Sequence, residues 1–452
     1  MSLNSKISPA FEPFLAESGP NDVREAIVLY QSPVIMPAER GSLRALKERL
    51  KLVESRAKEH RPLHDQLLAR YAKQSGVKQV SVKNPQSSSG LRNSPLPVAR
   101  LDVTRGTLPA LAEQQGVVAI LPNQKISLLQ PKAVDFEELG NQEAKAGLTW
   151  GLQKLDVPKL WETTKGKGIK VAVLDTGVYG DHPALAGRVE EFGVIDPLGR
   201  RVTTSATFDS GQHGTHVCGT IAGGKTAEGL SIGVAPEAKL FVAGVLIGDA
   251  TLSTLMEGIS WALESGANII NMSLGFSYYE PLFDEVFKML IDQFDVLPVV
   301  AIGNENHGNT SSPGSAANAL SVGAAERLPR GKLEVAAFSS GASLVFPGVE
   351  PNALVTKPDV TAPGVQVYSC IPPEKTPQGT FQYSYMDGTS MATPHVAGVA
   401  ALLMSAKPRA LVRDIIQQLK DTADHPSGAG RRPDNRWGWG FIQPMEALKA
   451  LG

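Results

Sequence analysis

The sequence predicts an α/β protein: a doubly wound, mostly parallel sheet preceded by a small α+β domain of ferredoxin-like plan. Three observations carry this. Short runs apolar on both faces recur between helical stretches from Gly168 onward, at 169–174, 239–246, 267–274, 296–302 and 319–325. Strands buried on both sides suit a parallel sheet covered by helices. Ahead of them, residues 23–124 read as β-α-β-β-α-β. The chain has 452 residues, 42% hydrophobic and 20% charged, which are globular values with ample length for a core.

Taken in order, residues 1–22 are polar with scattered proline and read as a flexible arm. Residues 24–31 read as a strand. Leu43, Leu46, Leu50, Val53 and Ala57 step at helical spacing, with Ser42 as N-cap and Pro62 breaking the run. This stripe is read as core packing, in a helical segment of roughly 41–73. Residues 77–83 alternate like a strand, and 85–95 are a Ser-, Asn- and Pro-rich loop. Strand, helix and strand follow at 98–103, 108–115 and 117–122. Residues 125–150 show no period, only Pro131, Gly140 and mixed charge. The expected division is an arm at 1–22, a small domain at 23–124, a linker at 125–149 and a large domain at 150–452.

Net charge is −1, so nothing points to a nucleic-acid partner. No apolar run reaches the ~20 residues of a membrane helix, and no membrane partner is expected. The two cysteines, Cys218 and Cys370, are too few for a disulfide scaffold. Residues 1–22 lack a basic stretch followed by an apolar one, so no signal peptide is seen and a cytoplasmic location is expected.

Three separated blocks carry chemistry. They are Val-Ala-Val-Leu-Asp-Thr-Gly at 171–177, His-Gly-Thr-His at 213–216 and Gly-Thr-Ser-Met-Ala-Thr-Pro-His at 388–395. A serine hydroxyl is a poor nucleophile until a base takes its proton, and that base needs a carboxylate to orient it. Asp175 follows an apolar strand, where sites in such sheets lie. Asp-Thr-Gly also marks aspartic proteases, but those need two such loops or a homodimer, and one copy occurs here. His213 precedes a predicted helix at 215–222. His216 lies three residues on. Zinc pairs want histidines four apart with a glutamate, so His216 is read as packed or hydrogen-bonded structure.

Ser390 opens an Ala- and Gly-rich apolar run, 391–406, that suits a buried helix. Its amides and dipole would point at the serine and stabilise developing negative charge. Pro394 fits only near a helix start. Alone, Ser390 would read as an N-cap; the matching residues around it favour a nucleophile. Asn304 follows another apolar run. A side-chain amide aimed at an oxyanion contributes ~3–4 kcal/mol, while the plain alternative is a turn-forming asparagine. Cys218 reads as a buried inert thiol.

These residues together resemble the subtilisin-like (subtilase, S8) serine peptidases, over roughly Trp150 to the C-terminus. Asp, His, Ser is also the chain order of subtilisin. The resemblance implies a serine endopeptidase needing no cofactor, acting on protein or peptide substrates. Asp175 would be the carboxylate, His213 the base and Ser390 the nucleophile, with Asn304 and the Ser390 amide as oxyanion hole. Ser273, Leu274 and Gly275 would pair with substrate backbone. Ala301, Ile302, Gly303 and Ser311 would line the S1 pocket, and Leu252 would sit near S4. Small or apolar S1 positions suit a large apolar P1 residue, and Glu305 at the rim would admit Lys or Arg as a secondary choice.

The run 437–442 resembles the family's closing turn. The first 130 residues resemble its inhibitory propeptide in pattern and position. That implies help in folding, capping of the groove as an intramolecular inhibitor, and self-cleavage between about residues 126 and 148. The family's strongest calcium site uses an aspartate nine residues after the catalytic one, where this chain has Ala184. The loop 223–232 also lacks the usual asparagines, so calcium is not expected there and stays open elsewhere. Two rivals keep the fold: a transpeptidase that makes cyclic peptides, and an inactive binding protein.

Overall fold

The structure is a computed structural model. It describes residues 6–32, 46–75, 89–128, 132–133, 137–202, 204, 206–280, 282–345, 354–377 and 379–452. The expected Ser42 cap, Leu43, the strand at 77–83 and residues 85–88 lie outside them.

A nine-stranded sheet organises the large domain. Its parallel core runs, in space, Leu320–Arg327, Leu297–Ala301, Ile269–Met272, Lys170–Asp175, Lys239–Gly244 and Val189–Ile195. Alternate side chains of a strand point to opposite faces. On Lys170–Asp175, Val171 and Val173 join one core with the helices His213–Ala222 and Thr389–Ala406. Ala172 and Leu174 join the other, with the helices Leu252–Glu264 and Leu282–Asp292. Helices therefore cover both faces, as a doubly wound sheet requires. Strand order reverses at Lys170–Asp175: Lys239–Gly244 lies on one side and Ile269–Met272 on the other. A crevice opens beyond the carboxyl end of a strand at such a reversal, and Asp175 stands there.

The N-terminal part holds a three-stranded antiparallel sheet in the order Val98–Thr104, Val23–Tyr30, Val117–Pro122. Both of its faces are buried. Ala26, Val28 and Tyr30 pack into the domain's own core with Leu67, Tyr71 and Leu108. Ile27 and Leu29 pack into the large domain's second core, with Leu255 and Ile259. Ser94 Oγ and Ser260 Oγ are 2.7 Å apart across this contact, and Arg100 donates to the Leu198 carbonyl at 3.2 Å.

Three expectations change. Pro62 does not break its helix, which runs Leu46–Ser75 with the proline inside. Proline removes one backbone bond, but Val53, Arg56, His60, His64, Leu67 and Tyr71 form one buried stripe across it, and that burial holds both halves in line. The segment expected as a loose arm packs down from residue 6: Ser8 caps a short turn at Pro9–Phe11, and Phe11 is buried in the N-terminal core. Residues 125–150 are not featureless. Ser127–Leu128 pairs antiparallel with Leu274–Gly275, Lys132–Ala133 pairs with Met386 and Asp387, and Glu137–Ala146 is a helix.

Candidate active site

Asp175 ends its strand fully buried, and His213 begins its helix almost so. Nδ1 of His213 lies 2.7 Å from Oδ1 of Asp175. A buried carboxylate must be hydrogen-bonded, and this oxygen also accepts the Thr176 N–H at 2.7 Å. An ionised carboxylate only accepts, so Nδ1 carries the imidazole proton and Nε2 presents its lone pair. Nε2 has no hydrogen-bond partner among the described residues. That is the tautomer a general base needs.

Ser390 is the second residue of the helix Thr389–Ala406 and is fully buried. Its Oγ donates to the Ser273 carbonyl at 3.2 Å, and with His213 Nε2 unpartnered among the described residues the serine–imidazole hydrogen bond is not formed in this arrangement. Apo sites commonly tighten such contacts only with substrate bound. Pro394 sits inside the helix rather than at its edge. It has no N–H for the carbonyl four residues back, that of Ser390. The Ser273 hydroxyl donates to that carbonyl at 3.1 Å instead. The proline thereby ties the serine's backbone to Ser273.

Asn304 faces the same helix start. Its Oδ1 accepts the Thr389 N–H at 3.0 Å and the Thr389 hydroxyl at 2.9 Å. With its oxygen so engaged, the amide turns Nδ2 toward Gly388, 3.4 Å from where a Cβ would stand. A side-chain amide beside Gly388, at the N-terminus of the helix that carries Ser390, is chemistry able to receive negative charge.

A groove leads to this point. Residues 124–128 lie between two edges: Leu252 N–H donates to the Gln124 carbonyl at 2.8 Å, and Ile126 N–H to the Ala250 carbonyl at 3.1 Å. On the other side Ser127 and Leu128 face Gly275 and Leu274. Leu252, Ser273, Leu274 and Gly275 thus flank one strand-shaped slot. Ala301, Ile302 and Gly303 are buried together, and Ser311 N–H bonds the Ile302 carbonyl at 3.1 Å. Ser311 Oγ would stand 2.4 Å from a Cβ at Gly303, whose φ is +114°. Only glycine fits there. Glu305 is exposed, its N–H held by Ser340 Oγ at 2.9 Å.

His216 is fully buried, and its Nε2 donates to the carbonyls of Val367 and Ser384 at 3.0 and 3.2 Å. Burial, reinforced by His213, pushes its pKa down to about 3, so it stays neutral structure. Cys218 is a buried free thiol, its pKa raised chiefly by burial. Among the described residues, no three His, Cys, Asp or Glu side chains gather as a metal site. At the position of the family's calcium aspartate, Ala184 offers a buried methyl. The guanidinium of Arg188 stands 2.7 Å from where a Cβ on Gly224 would lie. A methyl beside a fixed cation does not suit an ion that wants six to eight oxygens.

Two residues escaped the sequence reading. Thr176 and Asp209 bond the start of the His213 helix. The signal available was their spacing, one after Asp175 and four before His213.

A doubly wound sheet with a buried carboxylate–imidazole pair at its reversal point, and a serine at a helix start bonded to Ser273 after the neighbouring strand, is the arrangement of a class of hydrolase folds. The sequence profile of the subtilase family matches residues 166–440, and the chain belongs to that family. A thermophilic serine proteinase of Bacillus sp. (strain AK1) is 35% identical over 289 residues, 63% of this chain and 64% of that protein. Thermitase of Thermoactinomyces vulgaris is 33% identical over 304 residues, 66% of this chain and 95% of that protein. The crystal structure of fervidolysin from Fervidobacterium pennivorans, a keratinolytic enzyme related to subtilisin, superposes with a TM-score of 0.67 at 26% identity. That match covers 95% of this chain and 61% of fervidolysin. The chain therefore spans less than two thirds of the Bacillus proteinase and of the fervidolysin structure. The large domain has the subtilisin-like fold.

Proposed function

We propose that the chain is a serine endopeptidase made as a self-processing zymogen. The observation that carries the catalytic reading is the 2.7 Å contact between Asp175 Oδ1 and His213 Nδ1, which leaves Nε2 basic. Ser390 attacks a peptide carbonyl while His213 takes its proton; Asp175 holds the tautomer and favours the imidazolium. The Asn304 amide and the Ser390 N–H receive the oxyanion. His213 then protonates the leaving amine, and water completes the second half.

The zymogen reading rests on strand addition. Residues 124–128 fill the slot flanked by Leu252 and Ser273–Gly275 as an extended peptide would. The chain leaves Leu274, next to the Ser273 that bonds Ser390, at Leu128, and reaches Asp387 and Met386, just ahead of Gly388 in sequence, at Lys132 and Ala133. The cut accordingly falls between residues 128 and 132, inside the expected window of 126–148. The N-terminal domain then acts as an intramolecular inhibitor.

Ser390→Ala tests both parts. Expected is an uncut full-length chain with no peptide hydrolysis and no labelling by a fluorophosphonate probe, against a processed, labelled parent. A purified variant that still splits ends the self-processing reading. A parent that neither labels nor hydrolyses ends the catalytic one and favours an inactive binding protein. Product masses showing loss of water would favour a transpeptidase.

A further inference from the structure

We propose that Asp209 is a positioning residue for the acid–base pair: its carboxylate clamps the first turn of the His213 helix to the strand end carrying Asp175 and holds the Thr176 hydroxyl proton away from Asp175. The inference rests on the acyl-transfer reading above.

A helix start leaves backbone N–H groups that need acceptors. Gln212 stands at the N-cap of the His213 helix and makes no side-chain cap bond. The acceptors come from elsewhere. Thr176 Oγ1 takes the Gly214 N–H at 2.9 Å. Oδ2 of Asp209 takes the Thr215 N–H at 2.8 Å and the Thr215 hydroxyl at 2.6 Å. Oδ1 of Asp209 takes the Thr176 hydroxyl at 2.7 Å and the Gly211 N–H at 3.0 Å. One carboxylate thus joins the strand end, its own loop and the helix. The backbones have no slack: a Cβ on Gly214 would lie 2.0 Å from the Gly177 carbonyl oxygen. The position of His213 against Asp175 therefore depends on this clamp.

Proton count gives the clamp a second effect. Thr176 has one hydroxyl proton and two carboxylates in reach, Asp209 Oδ1 at 2.7 Å and Asp175 Oδ1 at 3.3 Å. An ionised acceptor at the shorter distance takes it. Asp175 Oδ1 is then left to the imidazole N–H and the Thr176 amide. An uncharged residue at 209 loosens that hold, and the hydroxyl can swing to Asp175 and compete with His213 for the same oxygen. The imidazolium formed during attack would then face a weaker acceptor.

The other titratable groups around the imidazole do not blur this. Its helix carries His216, held neutral with a pKa near 3, and the buried Cys218 thiol. The strand Val367–Thr376 carries Cys370, pushed up to about 12, and Glu374, which accepts from Gln212 at 2.8 Å. None of them bonds Thr176.

The test is peptide hydrolysis from pH 5 to 9 by the full chain, its D209N, T176S and T176V variants, and D209N/T176V. D209N is expected to lose about tenfold in kcat, the effect of one charged hydrogen bond. KM should hold, and the acid limb of kcat/KM should move to lower pH. T176S should keep the parent profile. T176V should lose kcat, and adding D209N to it should move the acid limb no further. A parent-like pH profile in D209N overturns the proposal, as does an equal displacement in the T176V background. If D209N loses the parent's melting transition, T176V against T176S decides the matter, and parent-like kinetics in T176V overturn it. A parent that hydrolyses nothing overturns the underlying acyl-transfer reading instead.

Discussion

Glu280 should make the full-length chain less stable as pH rises. Its side chain is 1% exposed. Oε2 accepts from Ser8 Oγ of the N-terminal part at 3.0 Å, and Oε1 from the Leu282 N–H at a long 3.4 Å. Burial dominates these bonds and raises the carboxyl from 4.5 to about 7. The folded chain therefore holds a proton there that the unfolded chain releases near its ordinary value. The contribution is fully present below about pH 4.5 and is withdrawn as pH climbs through 7. The difference amounts to on the order of 3 kcal/mol, at 1.36 kcal/mol per tenfold change in proton affinity. The assay is denaturant unfolding of Ser390→Ala, which stays uncut, with and without Glu280→Gln, at pH 5 and pH 8. Subtracting the two curves removes every other titrating group. The chain that keeps Glu280 should lose stability relative to the Glu280→Gln variant between those pH values by roughly that amount. Parallel curves from pH 5 to 8 would refute the reasoning.

Two further outcomes follow from the site. Asn304→Asp keeps the acceptor for Thr389 but deletes the Nδ2 donor, so kcat should fall by about 10²–10³; unchanged kcat in steady-state peptide hydrolysis removes Asn304 from the oxyanion hole. Glu305→Gln should raise the apolar-to-basic P1 ratio in a peptide-library scan, because it deletes the rim charge without touching the Ser340 contact of its backbone; an unchanged ratio leaves Glu305 a solvated loop residue.

What the sequence disclosed follows from how tightly chemistry binds residue identity. The five apolar strands of the large domain were readable because burial on both faces demands unbroken apolar runs. Asp175, His213 and Ser390 stood out because each sits in a block of several residues matching one family's pattern, and chemistry of that kind tolerates few substitutes. The long N-terminal helix was legible in extent, but Pro62 looked like a break because polar residues, Arg56, His60 and His64, fill the buried stripe around it. The helix Glu137–Ala146 was hidden for a related reason. Among residues 142–146, where burial is described, the buried position is Glu143, satisfied by the Trp150 N–H at 2.6 Å and the Tyr385 hydroxyl at 2.7 Å. Ser127–Leu128 and Lys132–Ala133 are two residues each, too short for any periodicity. Their pairing is set by partners about 150 and 250 positions away, as is common for strand addition at a sheet edge. Asp209 carried no motif, because its bonds go to backbone N–H groups and threonine hydroxyls, which are found throughout the chain.

The zymogen reading leads to a specific bottleneck. Cutting between residues 128 and 132 would remove one covalent link and leave in place the contacts between the two parts that the described residues make. Ser127–Leu128 still lies on Leu274–Gly275, and the face bearing Ile27 and Leu29 still joins the second core. The new N-terminus still has Lys132–Ala133 against Met386 and Asp387. A slot filled by its own cleaved strand is a slot closed to substrate. Activity must then wait for the N-terminal part to leave, and the Ser127–Leu128 pairing with Leu274–Gly275 carries no titratable side chain that would drive it off. Ser8 and Glu280 lie across that same boundary, and ionising Glu280 penalises only the state in which it is buried. On that reading, raising pH weakens the contact of the N-terminal part through Glu280 and Ser8, and release at this boundary, rather than the cut itself, would set when the slot opens.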